Sequence, residues 1–415
     1  MRHLRQCLFI FLISLTVSAA GAAEVCEINK AADVIACAIK NHPNVVQAKA
    51  QVPIASINKE LSSRWLNPEL EGGAGYTREA DESGLIGEIA VMQTIETLTK
   101  RNARRTQADA EYDLAFAASA EQREQAAVQT LSILNRLRQI DRERYMLDET
   151  IKIFSAVIKR YKARPALSPE DRVTADLFGF VLTNHRIEKN QLDGEEKELA
   201  GNLKTILARD IPALQKFFLY SPKVWPKIGA DNVENSAVLT REQANITQAR
   251  AAYLEAQSSS FSGFRIGPYI QTKPGEFGKI ETGGVKFTIP IPIYSSAKPA
   301  QAWRMAVSAA ESGYEAKKRE LENSIDNLKS KYALGIAALG SYNVKEIEKH
   351  QARTKKLFGD GRVSGALLIE SYRQMLDNVR IYHQYEMETL QALWRIYILQ
   401  GKLLTNLDEV YDEKI

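Results

Sequence analysis

The sequence predicts a mainly α protein with a small β part: long antiparallel coiled-coil helical hairpins, plus four strands per chain that contribute to an oligomeric transmembrane β-barrel. Three observations carry that prediction. No proline lies between Pro68 and Pro165 and no glycine between Gly87 and Gly179, so one uninterrupted helix can run far beyond the usual eleven or twelve residues. Short segments ahead of each long helical stretch alternate apolar and polar residues, the period of a strand with two different faces. The order helix, strand, strand, long helix, turn, helix then occurs twice.

The N-terminus reads as a cleaved signal peptide over 1–23. Arg2 and Arg5 form the charged region, Leu8 to Ile13 the apolar region, and Ala20-Gly21-Ala22 the small-residue cleavage site. The apolar run is shorter than the roughly 20 residues of a membrane-spanning helix. Ala23-Glu24-Val25 ahead of Cys26 is no lipobox, so no lipidation is expected. The mature chain keeps Cys26 and Cys37. An exported protein can bridge them if the chain folds back near Asn29; two unpaired buried thiols are the alternative.

The first repeat covers 24–208. Its strands are expected over about 68–79 and 85–97. Ile89, Val91 and Ile95 form the apolar face of the second, and Leu70, Gly72, Ala74 and Tyr76 a weaker face of the first. A long helix over about 100–163 carries a 3–4 spaced seam of Ile133, Leu137, Ile140, Leu147, Ile151, Phe154, Ile158 and Tyr161, interrupted by Arg144. A return helix follows over about 169–208. Residues 209–235, with Pro212, Pro222 and Pro226, form a linker.

The second repeat covers 236–404. Its strands are expected over about 264–273 and 283–294, with Phe264, Ile266, Ile270, Val285, Phe287, Ile289, Ile291 and Ile293 apolar. Its long helix is expected over about 298–357 with a seam of Leu321, Ile325, Leu328, Tyr332, Gly335, Leu339 and Tyr342. The return helix falls over about 366–404, and 405–415 is a tail. Matching Thr94-Ile95 to Thr288-Ile289 and Ser168 to Ser364 gives offsets of 194 and 196, the mark of an internal duplication.

Strands of about ten residues with one apolar face fit the wall of a membrane barrel, with the eleven named apolar residues toward lipid. A four-stranded soluble sheet packed on a helix is the alternative, but a helix about 90 Å long has no use as its cover. Four strands cannot close a barrel, which needs eight or more, so several copies must combine.

Together these residues resemble the TolC-type outer-membrane efflux family, especially its heavy-metal and drug-exporting members, over nearly the whole mature chain. The resemblance rests on Asn41-His42-Pro43, Asn67-Pro68-Glu69-Leu70, Gln93-Thr94-Ile95-Glu96 with Lys100, Arg101 and Arg104, Ile289 to Tyr294, and Phe358 to Ser364. It implies a homotrimer with a twelve-stranded barrel in outer-membrane lipid and helices that continue as an α-barrel. It also implies a periplasmic adaptor (membrane fusion) protein and an inner-membrane transporter as partners. Leu98-Thr99 stand where the family has glycines, and Pro165 stands where the first tip would have one.

Composition excludes other classes. With 45% hydrophobic and 26% charged residues the chain is globular, and a net charge of +4 over 415 residues is no basis for nucleic-acid binding. Five His and three Cys, scattered, make no multi-ligand metal site, and no catalytic or cofactor-binding constellation stands out. Asp171, Asp176 and Glu188 read as a solvated helix face rather than general acids. Tyr76, Tyr269 and Tyr294 suit the edges of a membrane. The functional candidates lie at the two helical turns. The first holds Arg164, Ser168, Asp171 and Arg172; the second holds Asp360, Gly361, Arg362, Ser364 and Glu370. Charges there, repeated by symmetry, would ring an aperture or meet an adaptor; ordinary polar turns are the bland reading. Two rival functions fit long hairpins: a periplasmic adaptor and a soluble coiled-coil structural protein.

Overall fold

A computed structural model of the chain describes residues 26–410, apart from 80–81, 212–213, 221, 223, 230–231, 260, 276–277 and 292–297. The leader over 1–23, Ile293, Tyr294 and the last residues of the tail lie outside the described residues. Two helices, α1 (Ala31–Asn41) and α2 (Pro43–Ser63), precede a strand pair, β1 (Glu69–Glu79) and β2 (Glu82–Glu96). Then come α3 (Leu98–Lys162) and its return α4 (Pro169–Leu207), a 3-10 turn over Leu214–Phe217, and α5 (Ala237–Ser258). The second strand pair is β3 (Gly263–Gly275) and β4 (Gly278–Thr288). It is followed by α6 (Lys298–Gly340), α7 (Val344–Gly359), α8 (Gly365–Leu399) and α9 (Leu403–Val410).

The 65 residues of α3 make a rod of about 97 Å at 1.5 Å per residue. Thr97 starts it by accepting the Lys100 N–H, and Lys159, Arg160 and Lys162 sit in its last turn, where the helix dipole favours cations. The seam read from the sequence is the packed face: Ile133, Leu137, Ile140, Leu147 and Phe154 are buried. Arg144, the one interruption, turns toward α4 and pairs with Glu196 and Asp193 as well as with Asp141. It breaks the apolar pattern because it ties the two helices at their polar margin.

Two stretches of core hold the rods together. Near the middle of α3, Leu131, Leu134 and Leu137 meet Ile35 and Ala38 of α1, Leu203 and Ile206 of α4, Tyr332 of α6 and Trp394 of α8. The linker closes over this core, with the Tyr332 hydroxyl donating to the Pro226 carbonyl at 2.8 Å and Trp225 edge-on to the Tyr332 ring. Cys26 and Cys37 are joined in a disulfide with Cα atoms 5.8 Å apart, pinning the segment ahead of α1 to the same region. Toward the turns, a second core gathers Leu147 and Phe154 of α3, Phe178 and Leu182 of α4, and Leu368, Tyr372 and Met375 of α8.

The second long helix departs from expectation. It is divided at Ser341–Asn343 into α6 and α7. Gly340 ends the first part and the Asn343 side chain accepts the Glu346 N–H to start the second, so a residue suited to capping wins over helix continuity. Tyr342, read as a seam residue, therefore lies in the break. There its ring faces Tyr382 of α8 at 4.6 Å between centroids. The return helix likewise stops at Leu399, where Gly401 takes φ +64°, rather than running on to 404.

Candidate functional site

The four strands form one antiparallel sheet in the order β1-β2-β3-β4, so β1 and β4 are its two edges. The register sets Leu70 beside Val91, Ile89 beside Ile270, Ile95 beside Phe264 and Ile266 beside Phe287. Side chains alternate across a strand, so these residues share one face with Leu85 and Val285. That face is bare of helices and exposed: Leu70 is 75%, Leu85 78%, Ile89 62%, Val285 62% and Phe287 61% accessible. Val91 and Ile270 are exposed with them, while Ile95, Phe264 and Ile266, nearer the helices, are half-buried. Two residues assigned to the fourth strand are not in it. β4 ends at Thr288, and Ile289 and Ile291 follow in irregular, exposed chain. Pro290 and Pro292 carry no N–H to continue the ladder, which is why pairing stops there. Leu85 was not among the sequence candidates; the alternation of Leu85, Gly87 and Ile89 would have found it.

The opposite face is polar and tied across all four strands. Arg265 of β3 pairs with Glu71 and with Glu69 of β1, the latter at 3.2 Å. Lys286 of β4 reaches Glu88 of β2 at 2.7 Å and Glu71 at 3.8 Å. Each cation spans at least one intervening strand, so two cations tie three carboxylates together across the sheet. The strands pack close where they cross: a Cβ built on Gly267 would overlap the Val91 carbonyl oxygen.

At the far end of the rods the two turns come together. Ser168 caps α4 by accepting the Asp171 N–H at 3.0 Å, and Ser364 caps α8 by accepting the Leu367 N–H at 3.3 Å. Arg164 lies over the Tyr161 ring and donates to Asp171 at 3.2 Å. Arg172 is exposed on the first turn of α4. In the second turn Asp360 ends α7, Gly361 takes φ +69°, and the Arg362 N–H donates back to the Leu357 carbonyl at 2.9 Å. That left-handed residue is where glycine is needed. Glu370 accepts from Arg373 and Gln374, which hold its carboxyl down at about 2.

The turns are joined through aromatic side chains. Phe178 lies 5.1 Å from Phe154 and 6.2 Å from Phe358, and Phe154 lies 5.5 Å from Tyr372. A Cβ on Gly365 would overlap Thr174, so the start of α8 presses directly against α4. Sequence reading placed Arg164, Ser168, Asp171 and Arg172 in one turn and Asp360, Gly361, Arg362, Ser364 and Glu370 in the other. The fold brings those two turns to one end of the molecule.

Between the sheet and the turns lies a buried polar joint that sequence reading missed. His383 of α8 shares a 2.7 Å hydrogen bond with Glu143 of α3, and Arg136 donates to Glu143 at 2.9 Å and to both Glu195 oxygens of α4. Burial would push Glu143 up, but the His383 hydrogen bond and the Arg136 charge hold its carboxyl below the ordinary range. Gln139 and Arg138 both donate to the buried Glu386 of α8. Apart from Arg136 and Glu143, which lie seven positions apart, the partners are 59 or more positions apart, so no local pattern joins them. No described group of three or more His, Cys, Asp or Glu is arranged to hold a metal ion.

No family model matches the sequence, and no curated protein matches it. Solved structures match in fold. The Campylobacter jejuni CmeC outer membrane channel aligns with a TM-score of 0.68 at 12% identity, over 93% of this chain and 87% of that chain. The outer membrane protein VceC of Vibrio cholerae gives 0.68 at 11% identity, over 90% and 96%. The open state of the Neisseria gonorrhoeae MtrE outer membrane channel gives 0.63 at 15%, over 90% and 89%. Strand sheet, rods and turns together therefore have the fold of these channels.

Proposed function

We propose that the chain is one subunit of a passive outer-membrane channel, a homotrimer that serves as the exit duct of a tripartite efflux pump. The observation that carries the reading is the sheet: four strands with two open edges, one exposed apolar face and one polar face tied by ion pairs, set at the end of rods about 97 Å long. An open apolar sheet is an aggregation hazard in water and the ordinary wall of a barrel in lipid. Three copies joined edge to edge, β4 of one to β1 of the next, close a twelve-stranded wall. The apolar face then meets lipid and the polar face the pore. Below it the helices enclose an α-barrel that crosses the periplasm, after export by the cleaved leader.

The likeness to the CmeC and MtrE channels supports this placement. The duct does no chemistry: it conducts what an inner-membrane transporter expels, and a periplasmic adaptor engages the turns. Ser168 and Ser364 shape the two turns, and Arg164, Asp171, Arg172, Asp360, Arg362 and Glu370 ring the aperture they form.

Four measurements test this. Chemical cross-linking in detergent should give a trimer, and the chain should fractionate with outer membranes and conduct ions in a planar bilayer. Recovery as a water-soluble monomer would refute the reading and favour a soluble coiled-coil protein. Charge reversals Asp360→Arg and Arg362→Glu should change aperture conductance or adaptor coupling while trimers still insert; unchanged export in both would remove the turns from the mechanism.

A further inference from the structure

The junction between sheet and rods carries a basic cluster that neither pore nor aperture uses. Arg64, Lys100, Arg101, Arg104 and Arg105 gather where α2 ends and α3 begins. Three of the five have carboxylates: Arg64 with Glu60, Lys100 with Glu255, and Arg104 with Glu96 at 2.6 Å. Arg101 and Arg105 have none among the described residues. Each donates to the Ser63 carbonyl, at 2.7 and 3.2 Å, helping to satisfy the open end of α2 and leaving most of its donors and its whole charge unused. Arg101 is held in place by stacking over Trp65 at 4.9 Å.

Around these two cations the surface is apolar and exposed. Trp65 is 59% accessible, Leu98 78%, Leu66 37% and Phe261 44%. Their height is fixed by two hydrogen bonds: the Gln93 side-chain amide of β2 donates to the Leu66 carbonyl at 2.8 Å, and the Thr97 N–H donates to the Ser262 carbonyl at 3.0 Å. The belt therefore sits where the strands give way to helices. An exposed indole beside an uncompensated guanidinium is the pairing that suits the headgroup level of a bilayer, with the ring among the upper acyl carbons and the charge on phosphate.

We propose that this junction binds anionic phospholipid headgroups of the leaflet the stalk leaves, through Arg101 and Arg105, with Trp65, Leu66 and Leu98 seated among the adjoining acyl chains. The inference rests on the channel reading. It adds a defined lipid contact that sets how deep the barrel sits.

The test uses the full chain purified from membranes in detergent, with phosphatidylglycerol and phosphatidylcholine titrated separately and bound lipid counted by native mass spectrometry. Phosphatidylglycerol should bind the wild type more tightly. Arg101→Gln with Arg105→Gln should weaken it about 25-fold, about 5-fold for each charge removed near an anionic surface. Arg101→Lys with Arg105→Lys should restore most of the affinity. Equal binding of the two lipids by the wild type, or unchanged phosphatidylglycerol affinity in the Gln pair, overturns the proposal. So does displacement of the lipid by excess inorganic phosphate, which would make the site a phosphate pocket. Loss of the trimer in the Gln pair with no lipid dependence would also overturn it, by assigning the arginines to the subunit joint. A chain that needs no detergent at all would instead refute the channel reading beneath it.

Discussion

Replacing Phe154 by alanine should loosen the end of the molecule that carries both turns. Phe154 is fully buried on α3, edge-on to Phe178 of α4 and to Tyr372 of α8, so one ring contacts both hairpins. Truncating a fully buried phenylalanine costs about 3–5 kcal/mol, part transfer of the lost surface and part residual cavity. The two edge-to-face contacts, each about 0.5–1.5 kcal/mol beyond area, are part of that total. Relaxation is limited because the neighbours belong to three rods fixed elsewhere, and an effect of about 4 kcal/mol is expected. Phe154→Leu, which keeps most of the volume, should cost about 1–2 kcal/mol. Denaturant unfolding of the detergent-solubilised protein measures both. Limited proteolysis at 163–168 and 360–364 should accelerate in the alanine variant alone. A cost below about 1 kcal/mol for alanine, with turns no more susceptible, would refute the claim that this aromatic contact joins the hairpins.

Three other outcomes follow from the packing and the titrating groups. Glu124 of α3 is only 8% accessible, and burial together with the Glu121 charge pushes its carboxyl up to about 7. The folded state therefore binds a proton more tightly than the unfolded one. Stability should fall as pH rises from about 4.5 through 7, by at most about 3 kcal/mol and less where water screens the group; Glu124→Gln should flatten that slope in thermal unfolding across pH 5–8. Cys37→Ser opens the loop closed by the Cys26–Cys37 bridge and should cost about 3 kcal/mol by chain entropy, seen as a lower unfolding midpoint with assembly intact. Gly267→Ala forces a Cβ onto the Val91 carbonyl and should prevent closure of the wall, whereas Gly283→Ala, with no atom nearer than 3.8 Å, should insert normally; trimer yield in outer membranes compares them.

The sequence by itself determined the elements, because each is a local pattern. Unbroken helix potential over about 100–163, the seam of Ile133 to Phe154 and the alternation of Val285 and Phe287 are legible within a few residues of one another. Serine capping at Ser168 and Ser364 was visible for the same reason. The break at Ser341–Asn343 was missed because the apolar spacing continues across it, and only the Asn343 cap and the Tyr342–Tyr382 contact settle the matter. The end of β4 was overrun because Ile289 and Ile291 keep the alternation after the prolines have ended the ladder.

Tertiary structure alone decided which distant residues meet. Glu143 and His383 lie 240 positions apart, Arg265 and Glu71 lie 194 apart, and Gly365 meets Thr174 only because both hairpins return to the same end. A charge on a helix reads as solvated until the chain brings a buried partner to it, and no periodicity along one segment encodes that partner. The wall and the rods were therefore written in local pattern, while the joint between hairpins and the uncompensated cations at the junction emerged only from the packing.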